Sequence, residues 1–143
     1  MDKLSGLSRS VHVELIDGPL STSQPPADDG AGASLEVLGI VRLLEEGRPL
    51  LGLDYTAYEP MAQRQLERIA MAAIEQHGLL SVCIEHSRGF VGVGEVSLRL
   101  SVASKHRKAS IQGIDTILDA LKRDVPIWKR PCYRDDQDQG GQP

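Results

Sequence analysis

Two segments with helical spacing of their apolar residues constrain the fold of this chain more than any other feature. The first begins at Pro60, which suits the first turn of a helix, and stops at Gly78, a residue typical of helix C-termini. The second is predicted over 105–124, with Ser104 as its N-cap and Pro126 setting its end. The sequence therefore predicts two main helices.

The other apolar segments have the alternation or the length of β-strands. They lie at 11–16, 34–42, 50–58, 80–87 and 95–103. The turn at 45–49 is expected to join the second and third of these strands in a hairpin. In the last strand, Glu95, Ser97, Arg99 and Ser101 are predicted on the outer face, which is either wet or covered by a partner. This order of elements favours an α+β domain with a mostly antiparallel sheet over repeated βαβ units.

Length and composition predict one soluble domain over 1–143, because 41% of the residues are hydrophobic. The polar composition predicts a flexible loop at 17–33 and a disordered tail at 134–143. The net charge of −4 argues against broad electrostatic binding to nucleic acid or to anionic membranes. Because no secretory signal is found and no apolar run approaches the roughly 20 residues that cross a bilayer, a cytoplasmic protein is expected.

Consecutive basic or protonatable side chains open the second helix. They are Lys105, His106, Arg107 and Lys108. Each cation there typically costs roughly 0.3–1 kcal/mol, because it lies beside the positive end of the helix dipole. Unpaired backbone N–H groups at the same terminus favour a bound phosphate or carboxylate, which would offset this cost. A solvated basic turn is the alternative.

Two further lysines lie where the second helix ends. Lys122 and Lys129 flank Pro126 and Trp128, so a sharp turn could direct both amines toward one pocket. The alternative is that Trp128 fills the core, as an aromatic residue after a helix often does.

Several motifs resemble those of the large, catalytic subunit of molybdopterin synthase. The matching segments are VASKHRKAS at 102–110, LKRDVPIWKR at 121–130, GIVR at 39–42 and LDYTAYEPMA at 53–62, together with His86, Gly89 and Gly94-Glu95. The resemblance covers about 34–130. It implies the α/β-hammerhead fold of that family.

The resemblance also implies an enzyme of molybdenum cofactor biosynthesis. In that family, two sulfurs carried as a thiocarboxylate on the C-terminal Gly-Gly of a small ubiquitin-like subunit are transferred to cyclic pyranopterin monophosphate, which forms the molybdopterin dithiolene. No metal or organic cofactor is implied. A non-catalytic relative that binds the small subunit as a scaffold or regulator is the main alternative. An RNA- or phosphate-binding module is disfavoured by the acidic net charge and the few aromatic residues.

A set of site residues follows from the same resemblance. Those expected to bind the pterin and its phosphate are Arg42, His106, Arg107, Lys122, Lys129 and Arg130. Lys122 and Lys129 are also the expected catalytic residues, because positive charge stabilises the oxygen and sulfur anions that develop during transfer. His106 and Lys122 are sixteen positions apart, roughly 24 Å along a helix. Either they belong to different sites, or a symmetric dimer joins them; the family forms such a homodimer within a heterotetramer.

Four positions depart from the family pattern. Val37 stands where Phe is usual, Leu43 where Asn often follows the arginine, Ser87 where Arg often follows the histidine, and Pro131 where Glu often follows the WKR element. Val37 is expected to remove an aromatic wall from the pterin pocket, and Pro131 to redirect the C-terminal segment. The candidates for a groove that receives the small subunit's tail are Ile127, Trp128 and Tyr133.

The remaining histidines and cysteines are assigned no chemistry. Structural or solvated roles are expected for His12, His77 and His86, and Cys83 is expected to be a small core residue. Cys83 and Cys132 lie far apart without a CxxC pair, so neither a metal site nor a disulfide framework is predicted.

Overall fold

The computed structural model describes residues 10–21 and 30–136, which form seven strands and two helices longer than one turn. In chain order the elements are β1 (Ser10–Asp17), β2 (Ala33–Ile40), β3 (Leu44–Glu45), β4 (Arg48–Ala57), α1 (Met61–His77), β5 (Ser81–Gly92), β6 (Val96–Ser104), α2 (Arg107–Asp124) and β7 (Ile127–Tyr133). Each helix and strand predicted from the sequence is present, although β5 is longer than expected.

The strands form one sheet in which β2, β6, β5, β4 and β3 are successive neighbours. These neighbours are antiparallel, β7 joins β4 antiparallel, and β1 joins β5 in parallel. Residues 81–86 of β5 lie between β1 and β6, whereas 89–92 pair with β4. Gly89, where β5 changes partner, has φ of +84°, a left-handed conformation that favours glycine. The mostly antiparallel sheet of an α+β domain is confirmed.

The main core lies between the helices and one face of the sheet. α1 contributes the face predicted from the sequence, with Leu66, Ala70 and Ala73 almost fully buried. Ile84 of β5 and Leu100 of β6 belong to the same cluster and are also fully buried. Burying each large aliphatic side chain stabilises the fold by roughly 1.5–3 kcal/mol, so this core fixes the helices on the sheet. No helix within the described ranges is long and apolar enough to cross a membrane.

The predicted hairpin between the second and third strands is wrong. β2 pairs with β6 instead, and β4 makes its tight hairpin with the short strand β3. Apolar residues of β2 and β6 face each other in register, as Leu35 opposite Val102 and Val37 opposite Leu100. This long-range match of apolar faces outweighs the local turn signal.

The N-terminus of α2 also differs from the prediction. His106, not Ser104, occupies the N-cap, and Lys105 precedes the helix. The Ser104 hydroxyl donates to the His106 carbonyl oxygen at 2.6 Å and lies 2.5 Å from Ser110 Oγ. Ser104 therefore ties the end of β6 to the first turn of α2 through its side chain, without capping the backbone.

The last strand, β7, is an element that the sequence does not predict. Its hydrogen-bonding partner among the described strands is β4 alone, so it lies at an edge of the sheet. Pro131 lies within it, opposite Leu53. A proline lacks the backbone N–H but is tolerated in an edge strand.

The outer face of β6 is covered by the chain itself. Arg99 is buried and forms an ion pair with Glu85 on β5, directly opposite in register. Its guanidinium also donates to the Ser21 carbonyl oxygen at 3.1 Å, and the Ser101 hydroxyl donates to the Glu36 carboxylate at 3.1 Å. The expectation of a wet or partner-covered face is wrong at these positions, because paired groups of this chain satisfy one another.

Part of the predicted 17–33 loop packs against the sheet. Leu20 is buried, and its N–H donates to the Val96 carbonyl oxygen at 2.9 Å. Residues 22–29 lie outside the described ranges, as do 137–143 of the predicted tail. Flexibility of these two segments stays a prediction.

Candidate active site

Three cations predicted from the sequence line one cavity of about 470 Å³. Arg42 comes from the segment after β2, Lys122 from the last turn of α2, and Lys129 from β7. Apolar side chains that include Leu53 and Leu121 complete much of the lining. A cavity with three cations among apolar neighbours is suited to an anion.

A short connection brings the two lysines together. Val125 is the buried C-cap of α2, and Pro126 directly precedes β7. The chain therefore reverses between Lys122 and Lys129 without an intervening loop. In the register of β7 against β4, Lys129 lies opposite Tyr55, which lines the same cavity.

A polar wall made by Tyr55, His86 and Ser97 lines this cavity as well. The Tyr55 hydroxyl donates to Ser97 Oγ at 3.1 Å, and Ser97 Oγ donates to the Gly39 carbonyl oxygen at 3.4 Å. The His86 ring packs edge-on against Tyr55, with ring centroids 5.2 Å apart, and the residue is only 6% exposed. Burial lowers the pKa of His86 below its ordinary value, although its hydrogen bond to the Ser87 carbonyl acts in the opposite direction. The ring is therefore neutral at pH 7.

Sequence reasoning assigns none of these three residues to the site. Tyr55 and His86 do belong to motifs that carry the family resemblance, and that is the signal by which they could be found. Ser97 carries no such signal, because its position in the wall follows from the pairing of β6 with β2 and β5.

His106 and Arg107 lie in a different cavity, of about 720 Å³, at the other end of α2. It is lined by Gly32, Lys105, His106, Arg107, Lys108, Ile111 and Gln112. Within the described ranges, none of these basic side chains forms an ion pair, and the first turn of α2 contains no acidic residue. Arg107 and Lys122 are separated by fifteen positions of α2, about 22 Å. A single chain does not bring all the predicted ligands together.

Arg130 lies on the face of β7 opposite to Lys129, because neighbouring residues of a strand alternate between faces. Its Nη2 atom is 3.2 Å from Asp54 Oδ2, in an exposed ion pair. Trp128 shares this face and is 59% exposed, so the alternative that it fills the core is wrong. Arg130 is therefore separated from the other predicted ligands at this end of the molecule.

The three groove candidates do not lie together. Ile127 lines the cavity, whereas Trp128 is on the exposed face of β7. Tyr133 lies beneath Arg48, whose guanidinium carbon is 3.7 Å from the ring centroid. The structure thus places one of the three at the site.

No metal cluster is found in the described ranges, and the thiol of Cys83 is not activated. No group of His, Cys, Asp and Glu side chains there has the arrangement of a metal site. Burial, reinforced by neighbouring Glu85, raises the pKa of the Cys83 thiol to about 11. Cys83 is therefore protonated at neutral pH and is a poor nucleophile.

The protein-family model described as "MoaE protein" matches residues 15–124, most of the described chain. This chain belongs to the MoaE protein family. Arg42, Arg107 and Lys122 lie within the matched range, and Lys129 lies a few residues beyond it. The match therefore includes residues of both cavities.

Curated relatives of this MoaE protein bear the name molybdopterin synthase catalytic subunit. The Coccidioides immitis relative is 40% identical over 123 residues, which are 84% of this chain and 63% of the relative. The Aspergillus niger relative is 36% identical over 131 residues, which are 90% and 73% of the two chains. The Drosophila willistoni relative is 36% identical over 129 residues, 87% of this chain and 35% of the relative. The chain thus spans less than two thirds of the Coccidioides and Drosophila relatives.

Solved structures share the fold of this MoaE protein. Molybdopterin synthase from Staphylococcus aureus matches with a TM-score of 0.78 at 28% identity, over 85% of this chain and 91% of that chain. The complex of subunits 1 and 2 of molybdopterin-converting factor from Helicobacter pylori contains a chain that matches with a TM-score of 0.66 at 23% identity, over 87% and 91%. The second likeness shows the fold alone. The fold implied by the resemblance is confirmed.

The departures from the family pattern leave the cations of this MoaE protein in place. Val37 packs against the main core and is not among the residues that line either cavity, so the expected loss of a pocket wall is not seen at these cavities. Ser87 is fully buried and donates to the Gly18 carbonyl oxygen at 2.7 Å. Pro131 lies inside β7, which continues to Tyr133, so the expectation that it redirects the chain is wrong.

Proposed function

We propose that this MoaE protein is the catalytic subunit of a molybdopterin synthase. It transfers two sulfurs from the thiocarboxylated C-terminus of a small ubiquitin-like subunit to cyclic pyranopterin monophosphate and so forms the molybdopterin dithiolene. The observation that carries the proposal is the convergence of Arg42, Lys122 and Lys129 on one cavity. The names of its relatives and the sequence motifs support the same function.

The cavity supplies the charge that this chemistry requires. Negative charge develops on oxygen and sulfur when the thiocarboxylate sulfur leaves its acyl carbon for the pterin. Lys122 and Lys129 provide ammonium groups at this place, and apolar neighbours such as Leu53 reduce the screening of their charge by water. Arg42 has the planar fork of donors that binds a phosphate through two contacts. Arg42 thus holds the phosphate, while the two lysines stabilise the groups that react.

A symmetric dimer completes the site in this proposal. His106 and Arg107 are too far from Lys122 for one pterin to contact both ends of α2 within a chain. A two-fold axis can place the N-terminal end of α2 from one protomer beside the C-terminal end from its partner, and it repeats the site twice. Each pterin is then bound by Arg42, Lys122 and Lys129 of one protomer and by the other two residues of its partner. Two small subunits complete a heterotetramer.

The proposal includes a cytoplasmic location and no nucleic-acid or membrane partner. Cys83 and Cys132 are free thiols, as is usual in a reducing compartment. The net charge of −4 does not favour binding to polyanionic surfaces.

A non-catalytic scaffold is the alternative that an experiment must distinguish. The departures at Val37 and Pro131 suggest it from the sequence. Neither of them replaces a cation of the cavity, and neither interrupts the strand in which it lies. The structure therefore offers no specific support for this alternative.

Reconstitution tests the proposed function. The protein, the thiocarboxylated small subunit and cyclic pyranopterin monophosphate are combined without oxygen, and the dithiolene product is measured. We expect turnover by the wild type and a rate lowered by about 10²–10³ in Lys122→Ala, as is typical when one group that stabilises a transition-state charge is removed. Arg123→Ala is the matched control, because Arg123 is the next residue on α2 but pairs with Asp124. A wild-type protein that binds the small subunit without forming dithiolene would establish the scaffold instead.

A further inference from the structure

The His86 ring uses one nitrogen to hold its own position and leaves the other available. Nδ1 lies 2.7 Å from the Ser87 carbonyl oxygen, which only accepts, so Nδ1 carries the proton. In the neutral ring Nε2 then has a lone pair and accepts hydrogen bonds. None of the described residues forms a hydrogen bond with Nε2. Every buried side-chain nitrogen or oxygen of the described residues has a hydrogen-bond partner, so Nε2 is not one of the buried atoms. Nε2 therefore keeps some accessible surface, and His86 lines the cavity.

An acceptor at this place complements the cations of the same cavity. The charged groups in the lining are Arg42, Lys122, Lys129 and Glu45, of which the first three only donate. A pterin phosphate presents both kinds of group, because its phosphate oxygens accept and the N–H groups of its rings donate. Cations can hold the phosphate, but they leave the ring system free to rotate about it. An uncharged acceptor beside them would remove that freedom.

We propose that His86 Nε2 accepts a hydrogen bond from a ring N–H of the bound pterin and thereby fixes the rings relative to Lys122 and Lys129. This inference rests on the proposed function, since it names a contact within the same site. His86 is then a substrate-binding residue, whereas Tyr55 and Ser87, which hold its ring, act as positioning residues. Burial supports the assignment, because the lowered pKa of His86 keeps Nε2 unprotonated at neutral pH.

Two variants at this position separate binding from support of the fold. His86→Asn keeps an amide N–H near the position of Nδ1, where it can donate to the Ser87 carbonyl, but it has no atom near Nε2. His86→Gln brings an amide oxygen near the position of Nε2 and gives up the contact to Ser87. If His86 only supports the fold, His86→Asn should bind the pterin better than His86→Gln. If Nε2 binds the pterin, His86→Gln should bind it better than His86→Asn.

The measured quantities are the dissociation constant of cyclic pyranopterin monophosphate, KM and kcat of the reconstituted complex, and the thermal midpoint of each variant. We expect His86→Asn to weaken pterin binding and to raise KM about tenfold, as loss of one hydrogen bond to a ligand does. We also expect kcat to fall, because the rings lose their fixed orientation relative to Lys122 and Lys129. His86→Gln should bind within about threefold of the wild type even if its midpoint is lower. Pterin binding by His86→Asn that equals the wild type or exceeds His86→Gln would overturn the inference.

An NMR titration of labelled histidine nitrogens makes the test independent of turnover. The Nε2 resonance of His86 should move upfield when the pterin binds, while that of Nδ1 changes little. A wild-type protein that shows this shift but forms no dithiolene refutes the proposed function and upholds the His86 contact. Dithiolene formation with an unchanged Nε2 resonance supports the proposed function and refutes the His86 contact. Failure to bind the pterin refutes the proposed function and the His86 contact.

Discussion

Mixing two inactive variants tests whether the site is shared between protomers. Lys122→Ala removes a cation at the C-terminal end of α2, and Arg107→Ala removes one at the N-terminal end. The two positions are fifteen residues apart, about 22 Å along the helix, and they line different cavities. In the proposed dimer, Lys122 of one protomer and Arg107 of its partner act on the same pterin.

The expected activity follows from the number of intact sites. Random pairing of equal amounts makes about half of the dimers heterodimers, and each heterodimer has one site with both substitutions and one with neither. The mixture should therefore recover about one quarter of the wild-type activity. Each parent variant alone should be lowered by about 10²–10³. The recovered signal is thus well above the background of the parents.

The assay measures molybdopterin formed by heterodimers isolated through two different affinity tags, with saturating thiocarboxylated small subunit. These heterodimers should have about half of the wild-type rate. Pairing Lys122→Ala with Lys129→Ala is the matched control, because both positions line one cavity and no intact site can form. Activity of the Lys122→Ala and Arg107→Ala heterodimer that stays at the level of its parents would refute the shared site.

Three further predictions concern the fold around the site. Glu85→Leu should lower the free energy of unfolding in urea by about 3–5 kcal/mol, because it removes the buried carboxylate that forms an ion pair with Arg99. Adding Arg99→Met should recover most of the loss. An unchanged urea midpoint in the single variant would contradict this prediction. Gly78→Ala should cost about 1–2 kcal/mol in the same assay, since Gly78 caps α1 with φ of +68°, and a neutral result would show that the cap relaxes. Burial lowers the pKa of His86 in the folded state, so the unfolded chain binds more protons between that pKa and pH 6.5. The stability that neutral His86 contributes is complete above pH 6.5 and is lost as the pH falls through the folded-state pKa. His86→Asn should therefore flatten the pH dependence of the unfolding free energy below pH 6.5, and an unaltered slope would contradict this prediction.

Local patterns predict the helices well, because apolar spacing and terminal residues are properties of short segments. The face of α1 and its stop at Gly78 are examples. The pairing of β2 with β6 is different, since it joins segments about sixty residues apart and depends on matched apolar faces rather than on a turn. β7 escapes prediction for a related reason: Pro131 argues locally against a strand, and its edge position, which makes the proline acceptable, is a property of the whole sheet.

Some parts of the candidate site are set by short segments and others by long-range pairing. The basic N-terminus of α2 and the lysines on either side of Pro126 can be predicted from the sequence, because both depend on short-range geometry. The wall of Tyr55, His86 and Ser97 is not predicted, because these residues lie on three strands that meet only in the folded sheet. In the sequence His86 has no feature that separates it from other strand residues. Its proposed role depends on which ring nitrogen hydrogen-bonds to the Ser87 carbonyl oxygen.

The length of α2 links folding to the assembly of the proposed site. The main core is buried within one protomer, so each chain can hold the cavity of Lys122 and Lys129 without a partner. The same helix keeps the cavity of Arg107 at a fixed distance of about 22 Å, which no side-chain movement can close. A two-fold arrangement with the α2 helices antiparallel across the axis brings unlike ends together. In the proposed dimer, folding of the protomer and completion of the pterin site are therefore separate events.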